Sequence, residues 1–166
     1  MKKIALIIFV LLSCTPIFSQ ERKIIWGASS FYSNRPKQNT SLLSSEMIIG
    51  YRLSDRFTGV INLNTSSSQR IFSESHNNIS TSFGVDFGYN AFNSESYFIF
   101  LRGGLNSNLL ENKNKYVCYK GGAYIATGKL PIKPIFGISL HYYDFMSKEK
   151  KNLFVPCLSI GFFIYQ

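Results

Sequence analysis

The sequence contains few of the residues from which proteins build metal and nucleophilic sites. Among 166 residues there are three cysteines and two histidines, and none has the spacing of a zinc-ligand motif. Three cysteines are also too few for the disulfide framework of a small secreted domain. The glycine pairs Gly103-Gly104 and Gly121-Gly122 lie within strand-like segments, where glycine relieves crowding, and do not form a phosphate-binding loop. We therefore predict no catalytic site, no cofactor and no metal.

A long apolar run is also missing. The N-terminal run from Ile4 to Leu12 has nine residues, whereas a membrane-spanning helix needs about 20. The run follows Lys2 and Lys3 and precedes small residues, which is the pattern of a secretory signal peptide. We predict that residues 1–20 are such a signal and that residues 21–166 form one exported domain.

The signal segment leaves two other interpretations open. Cleavage is expected near Ser19 or Gln20, but Leu11-Leu12-Ser13-Cys14 resembles the signal of bacterial lipoproteins, in which the cysteine carries the lipid. A protein that is held in a membrane by other means does not need such an anchor. The remaining alternative is a short N-terminal core helix.

Acidic residues are scarce. Nine Asp and Glu stand against 18 Lys and Arg, so the net charge is +9, and removal of Lys2 and Lys3 leaves +7. A basic balance suggests nucleic acid or an anionic membrane surface as a partner. Export argues against nucleic acid, which leaves the phosphates of lipids.

Helix-forming Ala and Leu are sparse, and apolar residues instead alternate with small polar ones. Between Ile79 and Ala91 the odd-numbered residues are mostly apolar, and the even-numbered ones are Ser, Gly, Asp or Asn. A period of two indicates a β-strand with two different faces. Tilted strands that cross a bilayer need about 9–11 residues. The pattern predicts eight strands of about this length, at residues 23–33, 41–53, 57–66, 79–92, 96–107, 116–127, 132–145 and 153–165.

The predicted connections alternate between long and short. The second, fourth and sixth are tight turns, at Ser54-Asp55-Arg56, Asn93-Ser94-Glu95 and Gly128 to Pro131. Transmembrane barrels have short periplasmic turns, longer outer loops and an even number of strands. The apolar face also changes from odd to even numbers across the turn Gly128 to Pro131, as an even-length turn requires. The predicted fold is all-β: a closed antiparallel eight-stranded transmembrane β-barrel with short periplasmic turns and longer outer loops.

The two faces of the strands predict a lumen and a lipid-facing surface. The polar face is mostly Gly, Ser, Thr and Asn, with six ionisable residues to which we assign a structural role in the lumen: Glu46, Arg52, Asp86, Arg102, Lys120 and His141. The apolar face carries two aromatic belts, as expected at membrane interfaces: Trp26, Tyr51, Phe57, Tyr89 and Tyr97, then Tyr32, Tyr119 and Tyr142. The alternative is a soluble exported barrel that binds lipid inside, but its outer face would carry more charge.

The last strand resembles that of known barrels. Ser159 to Gln166 is similar to the aromatic-rich strand that outer-membrane barrels present to the barrel-assembly machinery, although Gln166 replaces the usual aromatic end. In architecture and patterning, the mature chain resembles the small eight-stranded outer-membrane proteins of the OmpA-barrel and OmpX type. The resemblance implies a Gram-negative outer membrane. It also implies a non-enzymatic role in adhesion, envelope structure or secretion.

An enzyme remains the alternative from another class. Some barrels of this size modify lipid A, using a His, a Ser and a carboxylate near the outer rim. The candidate bases are His76, in the polar loop Ser73 to Asn78, and His141 on the lumen face. A catalytic base must lie within hydrogen-bond reach of the nucleophile. Loop histidines among serines are common, however, so we predict no enzymatic activity.

The lumen and the outer loops give two further expectations. An eight-stranded barrel is just wide enough to be filled by side chains such as Arg52, Arg102, Lys120 and Tyr124, so we expect no general diffusion channel. The outer loops are basic, and this charge is either ordinary solvated charge or a contact with lipopolysaccharide and other anionic lipids. The basic loop residues are Arg35, Lys37, Arg70, Lys113 and Lys115, with Lys148, Lys150 and Lys151 as the candidate lipid contacts.

Parity places Cys118 and Cys157 in the lumen, on two strands separated by a third. At about 4.8 Å per strand step their backbones are about 9–10 Å apart, beyond the limit of about 7 Å for a disulfide. We therefore predict two unbridged thiols.

The turn Asn93-Ser94-Glu95 predicts a register. If its three residues form the turn, Phe92 faces Ser96, and Asp86 directly faces Arg102 in the middle of the lumen. An opposite charge offsets part of the cost of burying each residue, so we predict an ion pair there. The same register pairs Phe87 with Leu101 and Tyr89 with Ile99 on the outer face.

Overall fold

The computed structural model describes residues 24–35, 40–69, 78–94, 96–108, 115–127, 132–147 and 150–165. These contain eight strands: β1 (Ile24–Arg35), β2 (Thr40–Arg52), β3 (Phe57–Gln69), β4 (Asn78–Asn93), β5 (Tyr97–Ser107), β6 (Tyr116–Thr127), β7 (Ile132–Phe145) and β8 (Leu153–Tyr165). All eight predicted strands are confirmed, with ends that differ by no more than three residues. The predicted signal peptide lies outside the described residues. In the part of the chain that the structure describes, no helix is long and apolar enough to cross a membrane.

The strands form one closed antiparallel sheet. Each pairs with the next along the chain, and β1 also pairs with β8, from Ile25 opposite Tyr165 to Tyr32 opposite Leu158. Closure leaves no strand with an unpaired edge, since every strand has a neighbour on both sides. The predicted eight-stranded closed barrel is therefore confirmed.

Side chains alternate between the interior and the outer surface, as the period of two predicted. On β2, Met47 and Ile49 are exposed, whereas Glu46 and Ile48 are buried. Exposed large apolar residues occur on all eight strands. The residues of the predicted aromatic belts are exposed or half-buried: Trp26, Tyr32, Tyr51, Phe57, Tyr89, Tyr97, Tyr119 and Tyr142.

The turn between β2 and β3 has the register of a three-residue connection. Arg52 faces Thr58, and Leu53 N donates to Phe57 O at 2.9 Å. Ser54 Oγ accepts from the backbone N–H of Phe57 at 3.1 Å, which ties the turn together. The predicted change of parity is also confirmed, because the exposed residues are odd-numbered on β6 and even-numbered on β7.

The turn between β4 and β5 differs from the prediction. The last facing pair is Asn93 and Phe98, so four residues lie between the two partners, of which Tyr97 is also the first residue of β5, and Ser94 N donates to Tyr97 O at 2.9 Å. An even-length loop changes the parity of facing residues. A bulge between Asn90 and Phe92 adds one residue to β4 and restores that parity.

Together the longer loop and the bulge shift the register by two residues. Asp86 faces Gly104, and Arg102 faces Gly88. The prediction that Asp86 and Arg102 directly face each other is therefore wrong. The two outer-face pairs are wrong for the same reason, since Phe87 faces Gly103 and Tyr89 faces Leu101.

Candidate functional site

Four charged side chains from four strands meet in the middle of the lumen. This ionic quartet consists of Glu46 on β2, Asp86 on β4, Arg102 on β5 and Lys120 on β6, and all four are buried. Arg102 Nη2 contacts Glu46 Oε1 and Asp86 Oδ2, and Arg102 Nε donates to Asp86 Oδ2 at 2.7 Å. Lys120 Nζ lies 3.1 Å from Glu46 Oε1 and 3.0 Å from Asp86 Oδ2. Two cations thus neutralise two carboxylates, which offsets part of their desolvation cost.

The shifted register does not break the predicted contact between Asp86 and Arg102. Long side chains reach the diagonal position on a neighbouring strand, and each of these residues faces a glycine. A Cβ atom at Gly104 would lie 2.2 Å from Asp86 Oδ1, so the glycine leaves the space that the carboxylate occupies. The predicted ion pair is confirmed, although as part of a cluster of four whose other contacts were not predicted.

A network of amides and hydroxyls continues from the quartet. Asn62 Nδ2 donates to Asp86 Oδ2 at 3.0 Å, and Asn106 Nδ2 donates to Asn62 Oδ1 at 2.7 Å. Ser29 Oγ donates to Glu46 Oε2 at 3.4 Å. Burying a polar group without a hydrogen-bond partner costs free energy. These contacts supply such partners inside the lumen. A second hydrogen-bonded cluster lies nearer the long loops and contains Ser44, Asn64 and Ser66.

The other two predicted lumen residues lie away from the quartet. Arg52 stands at the short-turn mouth, where Nη2 lies 3.2 Å from Asp55 Oδ1 and Nε donates to Ser54 O at 3.3 Å. His141 is fully buried on β7. Its Nε2 lies 3.2 Å from Ser139 Oγ, and its ring meets Phe31 edge-on at a centroid distance of 5.1 Å. The structure therefore places Arg52 in a turn contact and His141 in packing.

Near the short turns the lumen is filled by apolar side chains. Phe100 stacks on Tyr124 at a centroid distance of 5.1 Å and contacts Phe163 at 5.4 Å. The expectation of a mostly polar lumen is wrong for this end of the barrel. The signal was present, since Ile24-Ile25 and Phe162-Phe163 put apolar residues on both faces. This apolar floor consists of Ile25, Ile48, Val60, Phe100, Tyr124, Ala126, Ile135 and Phe163.

Three of the basic loop residues, Lys115, Lys150 and Lys151, have side chains that the structure describes, and they lie at the long-loop end of the barrel. Lys115 and Lys151 are exposed. Lys150 Nζ lies 5.4 Å from the centre of the Phe145 ring. Several residues singled out from the sequence lie outside the described residues: Cys14, Lys37, Arg70, His76, Lys113, Lys148 and the side chain of Arg35.

The chemistry of the lumen is that of a neutral ion cluster within close packing. Among the described residues, no group of three or more His, Cys, Asp and Glu is placed to hold a metal ion. Ser139 and His141 are within hydrogen-bond distance, but both are buried. Neither presents a reactive atom at the outer rim. The arrangement is suited to filling and stabilising the barrel interior.

The two lumen cysteines give a first test of the strand order. Cys118 on β6 and Cys157 on β8 are buried, are separated by β7 and are not bonded to each other, as predicted. We expect unreduced, denatured mature protein to titrate with two thiols per chain. The folded protein should react much more slowly with a bulky maleimide, because both sulfur atoms lie inside the barrel. A disulfide between the two in unreduced protein would contradict the strand order.

Comparison with known proteins supports the fold. No protein-family model matches the chain, and no curated protein matches it. Six solved chains match its structure. One of them is the crystal structure of Neisserial surface protein A, with a TM-score of 0.60 and 15% sequence identity, covering 86% of this chain and 96% of that chain. The resemblance to small eight-stranded barrels that the sequence indicated is thus confirmed at the level of the fold.

Proposed function

We propose that the chain is a non-enzymatic outer-membrane β-barrel protein with a structural, adhesion, or envelope- and secretion-accessory role. The outer surface is the observation that supports this most directly. Large apolar side chains are exposed on all eight strands, among them Met47 at 70%, Ile79 at 72% and Phe87 at 66%. Soluble monomers rarely expose apolar patches larger than a few hundred Å², whereas a barrel in lipid requires an outward apolar band.

The interior favours a scaffold over a carrier or a channel. A soluble barrel that binds lipid inside needs an apolar cavity, but here the ionic quartet occupies the middle of the lumen. Eight strands leave an interior that side chains can fill. Phe100, Tyr124 and Phe163 fill the short-turn end. The similar solved structure belongs to a protein named as a surface protein, which agrees with a role carried by the outer loops.

We also propose how the protein reaches the membrane and which partners it meets. We infer export through the signal in residues 1–20, insertion by the barrel-assembly machinery through the last strand, and a Gram-negative outer membrane as the destination. The surrounding lipids, lipopolysaccharide among them, are the partners that the basic loops favour. Nucleic acid is not a partner in this proposal, because the protein is exported.

Heat-modifiability tests the membrane barrel. A closed barrel pairs its backbone hydrogen bonds between strands and has no edge from which to unzip. We expect the outer-membrane fraction to contain the protein, and a detergent gel to show different mobilities before and after boiling. Identical mobilities, or recovery of the protein in the soluble fraction, would contradict the proposal.

The second candidate function is lipid A modification by His76 or His141. The hydrogen bond between His141 and Ser139 is the observation in its favour, and the burial of both residues argues against it. We expect lipid A from a deletion strain to have the same mass as lipid A from the parent strain. A changed acyl pattern that a His141→Ala or His76→Ala variant fails to restore would instead support the enzyme.

The loop lysines test the contact with anionic lipid. We expect replacement of Lys148, Lys150 and Lys151 by Gln to weaken lipopolysaccharide binding, and the difference to shrink as salt rises, since exposed charges are screened within about 8 Å at physiological ionic strength. The matched control replaces Lys133, which lies at the short-turn end of β7. If the triple variant and the parent bind lipopolysaccharide equally at low salt, the loop lysines do not contact the lipid and their charge is ordinary solvated charge.

A further inference from the structure

A groove of about 690 Å³ crosses the outer surface of β6, β7, β8 and β1. It lies between two rows of outward-facing residues that pair from strand to strand. One row contains Gly121, Leu140 and Pro156, and the other contains Ala123, Ile138 and Leu158. The groove therefore runs across the strands, obliquely to the barrel axis, and its sides are apolar.

Missing side chains on β6 create the groove. A Cβ atom at Gly121 would meet nothing within 4 Å. Gly103 faces Gly121 on the neighbouring strand, and a Cβ atom there would make a single ordinary contact at 3.5 Å. Ile138 and Leu140 stand beside this depression, exposed by 64% and 48%. On the opposite wall, outward positions in the middle of the strands carry large side chains, such as Met47 and Phe83.

The dimensions and lining of the groove fit one hydrocarbon chain. The groove spans three strand spacings of about 4.8 Å each, or roughly 14 Å. It reaches Tyr32 and Asn34 near the long-loop end of β1, and it ends at Gly121 and Ala123 in the middle of β6. A chain lying in it would enter from the outer interface and descend towards the middle of the wall.

Two exposed cations lie at the long-loop end of strands that carry the groove. Lys115 immediately precedes β6, and Lys151 lies two residues before β8; both are exposed at the long-loop end. Cations at this level attract phosphates of the adjacent lipid surface.

We propose that this groove holds one acyl chain of a phosphate-bearing lipid of the outer leaflet, whose phosphate contacts Lys115 and Lys151. The inference rests on the proposed membrane location and specifies which wall of the barrel binds the lipid. An acyl chain in the bilayer is already in hydrocarbon, so the groove contributes dispersion contacts between its apolar sides and the chain. Binding should therefore depend on both the acyl chain and the phosphate.

The acyl arm of the test fills the groove with a side chain. Barrels purified in dodecylmaltoside are titrated with hexa-acylated, bisphosphorylated lipid A, and bound lipid is counted by native mass spectrometry. We expect Gly121→Phe to weaken binding by about tenfold, which corresponds to about 1.4 kcal/mol. Val85→Phe, an outward position in the middle of β4 on the opposite wall, is the matched control and should bind as the parent does.

The phosphate arm compares lipid A with its dephosphorylated form. We expect Lys115→Gln/Lys151→Gln to weaken binding of lipid A, with little effect on the dephosphorylated lipid. Unchanged lipid A affinity in Gly121→Phe would overturn the proposal. The proposal would also be overturned if the parent protein were a dimer that Gly121→Phe dissociates with no change in lipid affinity. The occupant of the groove would then be a second copy of the chain. Heat-modifiability of every variant separates failure of this inference from failure of the membrane barrel itself.

Discussion

Replacing Arg102 with Ala is expected to lower the free energy of unfolding by about 3–5 kcal/mol, the range for removing one member of a buried ion pair. Glu46 and Asp86 would then remain in the lumen with Lys120 as their shared cation. Asp86→Ala should destabilise the barrel comparably, since Arg102 and Lys120 would share Glu46. The double variant leaves the neutral pair of Glu46 and Lys120, so we expect it to be more stable than either single variant.

Urea unfolding in detergent, with the folded fraction read from gel mobility without boiling, measures these differences. Arg52→Ala is the matched control, because the Arg52 side chain is 27% exposed and its partner Asp55 is 97% exposed. Exposed ion pairs contribute only about 0–1 kcal/mol. If the double variant loses the sum of the two single losses, the residues are not coupled and the quartet does not stabilise the barrel as a unit.

Replacing Gly104 with Ala is expected to destabilise the barrel by about 1–3 kcal/mol, the usual effect of overpacking a filled interior. The new Cβ atom would lie 2.2 Å from Val85 O and 2.6 Å from Asp86 Cα. Both are backbone atoms, so no side-chain rotation relieves the clash. Either β4 and β5 separate locally or the ionic quartet loses its geometry.

The adjacent residue Gly103 provides the control, because it lies on the outer face of the same strand. A Cβ atom there would meet only Lys120 O, at an ordinary 3.5 Å. We expect Gly103→Ala to be neutral, or to stabilise by up to about 1 kcal/mol because Ala restricts the unfolded chain. Equal urea midpoints for the two alanine variants would show that the close approach at Gly104 is not present in the folded protein.

Strand positions and faces were predictable because both are local properties. The alternation in Ile79 to Ala91 follows from the two-residue period of a strand, whatever that strand pairs with. The turn Ser54-Asp55-Arg56 has the predicted register because its length matches the ladder and Ser54 caps it. The lumen thiols Cys118 and Cys157 followed from parity alone.

The register between β4 and β5 was not predictable from turn length. The bulge between Asn90 and Phe92 and the four-residue loop closed by Ser94 compensate each other in parity. Each residue therefore stays on its predicted face, although each residue of β4 faces a different residue of β5 from the one predicted. The predicted three-residue turn and the observed four-residue loop differ by one residue. Nothing in the sequence Asn93-Ser94-Glu95 favours one of them over the other.

The sequence by itself determined the number of strands, their faces, the order of short and long connections from the second onwards, and, apart from Arg52, which charges lie in the lumen. Only the tertiary structure decided which charges meet. Glu46 contacts Arg102 and Lys120, which are 56 and 74 residues away along the chain, across a closed interior. It also decided that the short-turn end is packed with apolar side chains. The alternation of residues along a strand indicates only the face on which each residue lies. Contacts across the lumen depend on how all eight strands close, so no local pattern predicts them.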